Sequence, residues 1–345
     1  MTARTWLWLT VMLTASAFAL AVTLAPAATG PAATGPAGAT PGRALAWVLF
    51  AGSSVHVAST GWLYTVRDVR SYAAARPVRY LWLPVALIAA GVVLAAALPA
   101  AVVSWLLLPF FAWQFFHFAK QNLGMAALAA SSSRVPSLNR TERRVIIAAA
   151  LAGIGGLLTH PSLLQLPVNP RLGTLFPVCA AAFGVTVIAG LTLLLRRSAQ
   201  NRPAGFTVMY LIALLFFLPI FVFSEPYAAV SGLTIAHGMQ YLLLMGLVAA
   251  GGQNTPAGRV TATALLCNIA LLGGVVLAKA SHLHSGALGG RVLFGAYLGV
   301  VMAHFVIDAG VWRLRDPFPR AFLGHRVPYL MNRSLADIGW LPWRH

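Results

Sequence analysis

Apolar runs of about twenty residues recur along the whole chain, separated by short polar stretches that carry most of the charge. A helix of that length crosses the roughly 30 Å hydrocarbon core of a bilayer. Ten such runs can be read, over residues 5–25, 44–66, 79–98, 101–123, 144–164, 174–195, 205–224, 227–250, 259–279 and 291–312. In lipid, every backbone N–H and C=O needs a partner within the chain, so isolated runs of this kind must be helical. None shows the period-2 alternation of a barrel strand. The expected fold is an all-α, polytopic integral membrane bundle of about ten transmembrane helices, multi-pass in a cell membrane with the lipid bilayer as its main partner.

Composition supports this. Hydrophobic types make up 59% of the 345 residues and charged types 9%, where soluble domains carry about 25% charged residues to cover their surface. The formal net charge of +18 invites a nucleic-acid reading. However, the basic residues fall in short clusters between apolar runs, not on a foldable polar face, so no nucleic-acid partner is expected. One set of loops holds Arg4, the cluster Arg67 to Arg79, the cluster Arg134 to Arg144, Arg196, Arg197, Arg202, Arg259 and the arginines after the last run. The alternate set holds only Arg43, Arg171, Lys279 and Arg291. By the positive-inside rule both termini are cytoplasmic.

Residues 1–312 read as a single transmembrane domain. Within it, 26–43 is an Ala/Pro/Gly-rich flexible linker between the first two spans. Residues 313–345 read as a basic cytoplasmic tail. Its Phe318, Phe322, Tyr329, Trp340 and Trp343 stand among arginines, a mixture suited either to anionic headgroups or to an ordinary solvated tail. The first run follows Arg4 and precedes small residues, as a signal peptide would. Its length favours a retained helix.

Four of the nine histidines lie well inside apolar runs: His56, His117, His237 and His304. Their runs, the second, fourth, eighth and tenth, all point from outside to cytoplasm. At 1.5 Å per residue, His56, His237 and His304 lie about 12–20 Å from the inner ends and His117 about 9 Å. Singly, each reads as a polar packing residue between helices. Together, at compatible depth on parallel helices, they read as a metal-ligand set. Each is followed four positions on by a polar residue: Thr60, Gln121, Tyr241 and Asp308. That spacing places the pair on one helix face. Gln114 precedes His117 by one turn. Metal-bound imidazoles usually hydrogen-bond through their second nitrogen, so Gln114, Gln121 and Thr60 are the expected cofactor-orienting groups. Asp308, Tyr241 and Lys120 are the expected reacting groups, with Asp308 orienting a ligand and relaying a proton. Lys120 either snorkels to the interface or turns inward to pair with Asp308.

An imidazole-rich set suits iron, zinc or copper over magnesium or calcium. The chain has only six acidic residues, too few for a carboxylate-bridged metal pair. It contains no HExxH, no desaturase-type HxxxH with HxxHH, and no CxxCH for covalent haem. The His-Phe steps at His117 and His304 and the His-Gly step at His237 resemble the bacterial membrane carotenoid dioxygenases, over four short windows of the chain. The resemblance implies iron held by histidines inside a helical bundle. The function expected is an iron-dependent oxidoreductase or oxygenase. It would act on a lipophilic small molecule from the bilayer, with a redox partner at the basic cytoplasmic face. The alternatives are a haem b electron-transfer protein with histidine pairs as axial ligands, a proton- or solute-conducting transporter, and a structural subunit with buried polar contacts.

Overall fold

The computed structural model describes residues 1–28, 42–284 and 286–331. All the regular elements among them are helical. In chain order they are α1 (Ala3–Ala28), α2 (Arg43–Thr65), α3 (Arg67–Ala74), α4 (Val78–Ala97), α5 (Ala100–Ser132), α6 (Arg140–Thr159) and α7 (Gly173–Arg196). There follow α8 (Ala204–Leu215), α9 (Pro219–Val222), α10 (Tyr227–Gly251), α11 (Pro256–Ser281), α12 (Leu288–Val311) and α13 (Pro317–Arg326). Eight of these, α1, α2, α4, α5, α7, α10, α11 and α12, are long and apolar enough to cross a membrane. The chain is an all-α polytopic membrane bundle.

The two other expected spans are also helical but differ in form. Helix α6 opens with Arg140, Glu142, Arg143 and Arg144, so its apolar part is short. The run 205–224 is broken at Phe216–Leu218 into α8 and α9. Pro219 explains the break: it has no N–H to give to the Leu215 carbonyl, and its ring crowds that carbonyl. Helix α5 is longer than its expected span 101–123 and continues to Ser132, which puts His117 about 22 Å from its inner end, near mid-membrane. Residues 29–41 of the expected linker, and 332–345 of the tail with Trp340 and Trp343, lie outside the described residues.

Two close approaches set the bundle around the histidines. A Cβ on Gly238 of α10 would run into the carbonyl of Gly52 on α2, and one on Gly52 would stand 2.6 Å from the Ile235 Cα. These backbones touch because neither residue has a side chain. Helices α4 and α12 pack the same way through Gly91 and Gly295. Helix α2 is irregular: it winds as a π-turn over Ala51–Val55, is α-helical over His56–Ser59, then tightens to 3₁₀ from Thr60. Such π-turns redirect the side chains that follow them.

The arginine-rich loops cluster at one end. Arg197 donates to the buried Glu142 carboxylate at 2.6 and 2.7 Å and to the Pro136 and Ser137 carbonyls. Arg4 shares a groove with Ser132, Ser133 and Pro203. The first part of the tail also folds back at this end. Phe318 stacks on Tyr72 at 4.0 Å, and Phe322, Leu323, Val327 and Leu330 are buried. Arg326 donates to the Val248 carbonyl. Residues 317–330 are thus packed against the bundle.

Candidate metal centre

Each of the four histidines comes from a different long helix: His56 from α2, His117 from α5, His237 from α10 and His304 from α12. All are buried; His237 is fully enclosed and His117, at 8% exposure, is the most accessible. Their rings form a closed circuit. Centroid separations are 4.8 Å from His56 to His237, 5.0 Å from His237 to His117, 5.0 Å from His117 to His304 and 5.1 Å from His304 to His56. Every pair meets edge to face, with interplanar angles of 71–89°. The sequence implied that these residues share a depth, and the fold makes them neighbours.

The polar groups inside this circuit are mostly without partners. Both ring nitrogens of His237, and Nε2 of His117 and of His304, are buried and make no hydrogen bond, and those of His56 have only the Gly52 and Ser53 backbone nearby. A buried polar atom left unpaired costs about 1–3 kcal/mol, so four imidazoles grouped this closely call for an occupant. The spacing fits a metal ion. With metal–nitrogen bonds of about 2.1 Å, neighbouring imidazole centroids around one ion lie about 4.5–5 Å apart. Two donor triads meet the distance requirement, His56 with His237 and His304, and His117 with His304 and Asp308. A haem does not fit here. It needs an open slot between its axial ligands, and the four rings close that space on one another.

Asp308 lies one turn beyond His304 on α12. Its Oδ2 is 3.7 Å from His304 Nε2 and 3.9 Å from His117 Nε2, near the separation of two donors on one ion. Its Oδ1 accepts the Tyr241 hydroxyl at 2.9 Å. The Tyr241 hydroxyl also meets Thr60 Oγ1 at 3.1 Å, and Thr60 Oγ1 meets His304 Nδ1 at 2.7 Å. The sequence pattern paired each histidine with the polar residue one turn further along its own helix. The structure keeps that pairing for His304 and Asp308 and exchanges two others between helices: Thr60 serves His304, not His56, and Tyr241 serves Asp308 and Thr60, not His237.

The remaining expected site residues stand further out. Gln121 is brought to the site's edge, where its amide donates to the backbone carbonyl of His237 at 2.9 Å and to Gln240 Oε1 at 3.1 Å. It therefore holds α10 and not an imidazole. Gln114 is half-buried on α5 and makes no hydrogen bond among the described residues. Lys120 is not in the site. It is exposed, with its ammonium 6.0 Å from the Phe116 ring, and Asp308 finds its partners in Tyr241 and the imidazoles.

Two residues of the support were not anticipated. Gln240 is fully buried and donates to Thr14 of α1 at 2.8 Å, which links α1 through Gln240 and Gln121 to His237. The signal for Gln240 is its polarity inside an apolar run, one turn beyond His237. Thr14 has no distinguishing mark in the sequence. Aromatic faces close the rest of the site: Phe118 stacks on His237 at 4.0 Å and Phe305 on His117 at 4.7 Å. Comparisons with protein-family models, with curated proteins and with solved structures return no match to this chain.

Proposed function

We propose that the chain is a membrane-embedded metalloprotein, with His56, His117, His237 and His304 holding one iron ion, and that it acts as an iron-dependent oxidoreductase on a lipophilic substrate. The observation that carries this reading is the pair of buried donor triads at metal-ligand spacing, whose imidazoles are largely without hydrogen-bond partners. Nitrogen donors with a nearby carboxylate and no thiolate suit iron, zinc or copper. Iron is favoured because the walls of the site are aromatic and buried within the bundle, which suits oxygen and apolar molecules better than the water that zinc hydrolases consume. Bound iron would supply one-electron chemistry toward dioxygen. The chain's own residues orient and exclude. Asp308 places its free carboxylate oxygen against two of the ligand nitrogens, Tyr241 fixes that carboxylate, and Phe118 and Phe305 keep water from the imidazoles.

Metal analysis and an absorption spectrum of the detergent-purified protein test this, beside a His117→Ala/His304→Ala double variant. Near-stoichiometric iron without a haem Soret band, lost in the variant, is the expected result. A Soret band would move the reading to haem electron transfer. Protein that binds no metal would sink the reading and leave a transport function or a structural role for the buried hydrogen-bonded line His304–Thr60–Tyr241–Asp308.

A further inference from the structure

We infer that Thr60 is a positioning residue that locks His304 in the tautomer with its proton on Nδ1, so that His304 offers only Nε2 to a metal. This rests on the metal-centre reading for its purpose, but not for its geometry.

The argument counts protons. A hydroxyl has one proton to donate and lone pairs to accept. With the Asp308 carboxyl ionised, the Tyr241 proton goes to its Oδ1 at 2.9 Å. In its contact with Thr60 at 3.1 Å, the phenol oxygen must therefore accept, and Thr60 must donate. Thr60 has then used its only proton. Its oxygen, 2.7 Å from His304 Nδ1, can only accept, so Nδ1 carries the hydrogen. A neutral imidazole with hydrogen on Nδ1 presents a lone pair at Nε2. That nitrogen makes no hydrogen bond and faces Asp308 Oδ2 at 3.7 Å.

Thr60 also differs from other helical threonines of the chain. Thr10, Thr14, Thr186 and Thr261 each give their hydroxyl proton to the carbonyl one turn back. That is the usual local bond for a threonine in a helix. Thr60 instead bonds to α10 and α12, although its backbone is helical. With Nδ1 committed, His304 has a single lone pair to offer, so it can serve only one of the two donor triads at a time.

The test uses Thr60→Val, which keeps the shape and removes the hydroxyl, and Thr60→Ser, which keeps the hydroxyl. Each protein is loaded with Cu(II), and the remote imidazole nitrogens are read by pulsed EPR. A changed coupling at one remote nitrogen in Thr60→Val, restored in Thr60→Ser, is the expected result, with about a 10- to 100-fold loss of Cu(II) affinity in the valine variant. In metal-free wild-type protein, ¹⁵N NMR should find His304 protonated at Nδ1. A proton on Nε2, or identical remote-nitrogen couplings in wild type and Thr60→Val, would overturn the inference. Wild-type protein that takes up no metal but shows the Nδ1 proton, lost in Thr60→Val, would uphold the tautomer lock and count against the metal reading alone.

Discussion

Asp308 is the residue whose replacement best separates charge from shape. Asn keeps an oxygen for the Tyr241 hydroxyl but removes the negative charge that faces His117 and His304. Groups that orient metal ligands typically contribute 10- to 100-fold in affinity. Asp308→Asn is therefore expected to weaken metal binding by about that factor while the protein stays folded, measured by competition with a graded chelator. A second residue-scale test lies far from the site, in the first turn of α6. Glu142 is buried, caps the helix with Asn139 and accepts two hydrogen bonds from Arg197. Burial alone would push its carboxyl pKa up; the bonds from Arg197 and the Asn139 amide outweigh this and hold it below the ordinary value. A group with a depressed folded pKa stabilises the protein above its unfolded pKa, and loses that contribution as pH falls through the folded value. Thermal melts should be flat with pH near neutrality and fall below the ordinary carboxylate range. Glu142→Gln should flatten that fall and cost about 1–3 kcal/mol, since the amide keeps one acceptor for Arg197, which also donates to the Pro136 and Ser137 carbonyls.

At the scale of elements, the site depends on helices that touch through glycine. A side chain at Gly238 meets the Gly52 backbone and must push α10 from α2, which separates His237 from His56. Gly238→Ala is expected to cost about 1–3 kcal/mol and to lower bound metal per chain, whereas alanine at Gly246, with open space around it, should change neither. What could be read from the sequence follows the same division. The four histidines stood out because a polar residue in an apolar run is rare and costly, and their common helix direction implied a shared depth. The pairing of His304 with Asp308 was legible, but those of Thr60 and Tyr241 were not, because spacing of four gives a shared helix face and not which neighbouring helix meets it. Helix α2 has a π-turn before His56 and a 3₁₀ turn from Thr60, which turns Thr60 toward α12. The break at Phe216–Leu218 had its signal in Pro219, but the run around it is continuous in hydropathy. The fold of 317–330 against the bundle was hidden because Phe318 and Phe322 suit a protein groove as well as a headgroup layer.

For the molecule as a whole, one ion would tie together four long helices that are distant in sequence. A ligand that binds only the folded state stabilises it by about 4 kcal/mol at a thousandfold excess over its dissociation constant. Chelator-treated protein should therefore melt at a lower temperature than the untreated protein, and returning the metal should restore the midpoint. The quadruple variant with all four histidines changed to alanine should show no such response.

The enclosure of the four imidazoles also bears on how the centre is filled. No ligand ring exceeds 8% exposure, and Phe118 and Phe305 lie flat on two of them. An ion arriving from water would have to part the helices to reach its donors. Loading and loss of an ion are then slow steps, set by how often the helices part. Protein made under metal starvation should load slowly after purification. Isotope exchange into filled protein should take far longer than at a solvent-open centre, speeding up only under conditions that loosen the bundle.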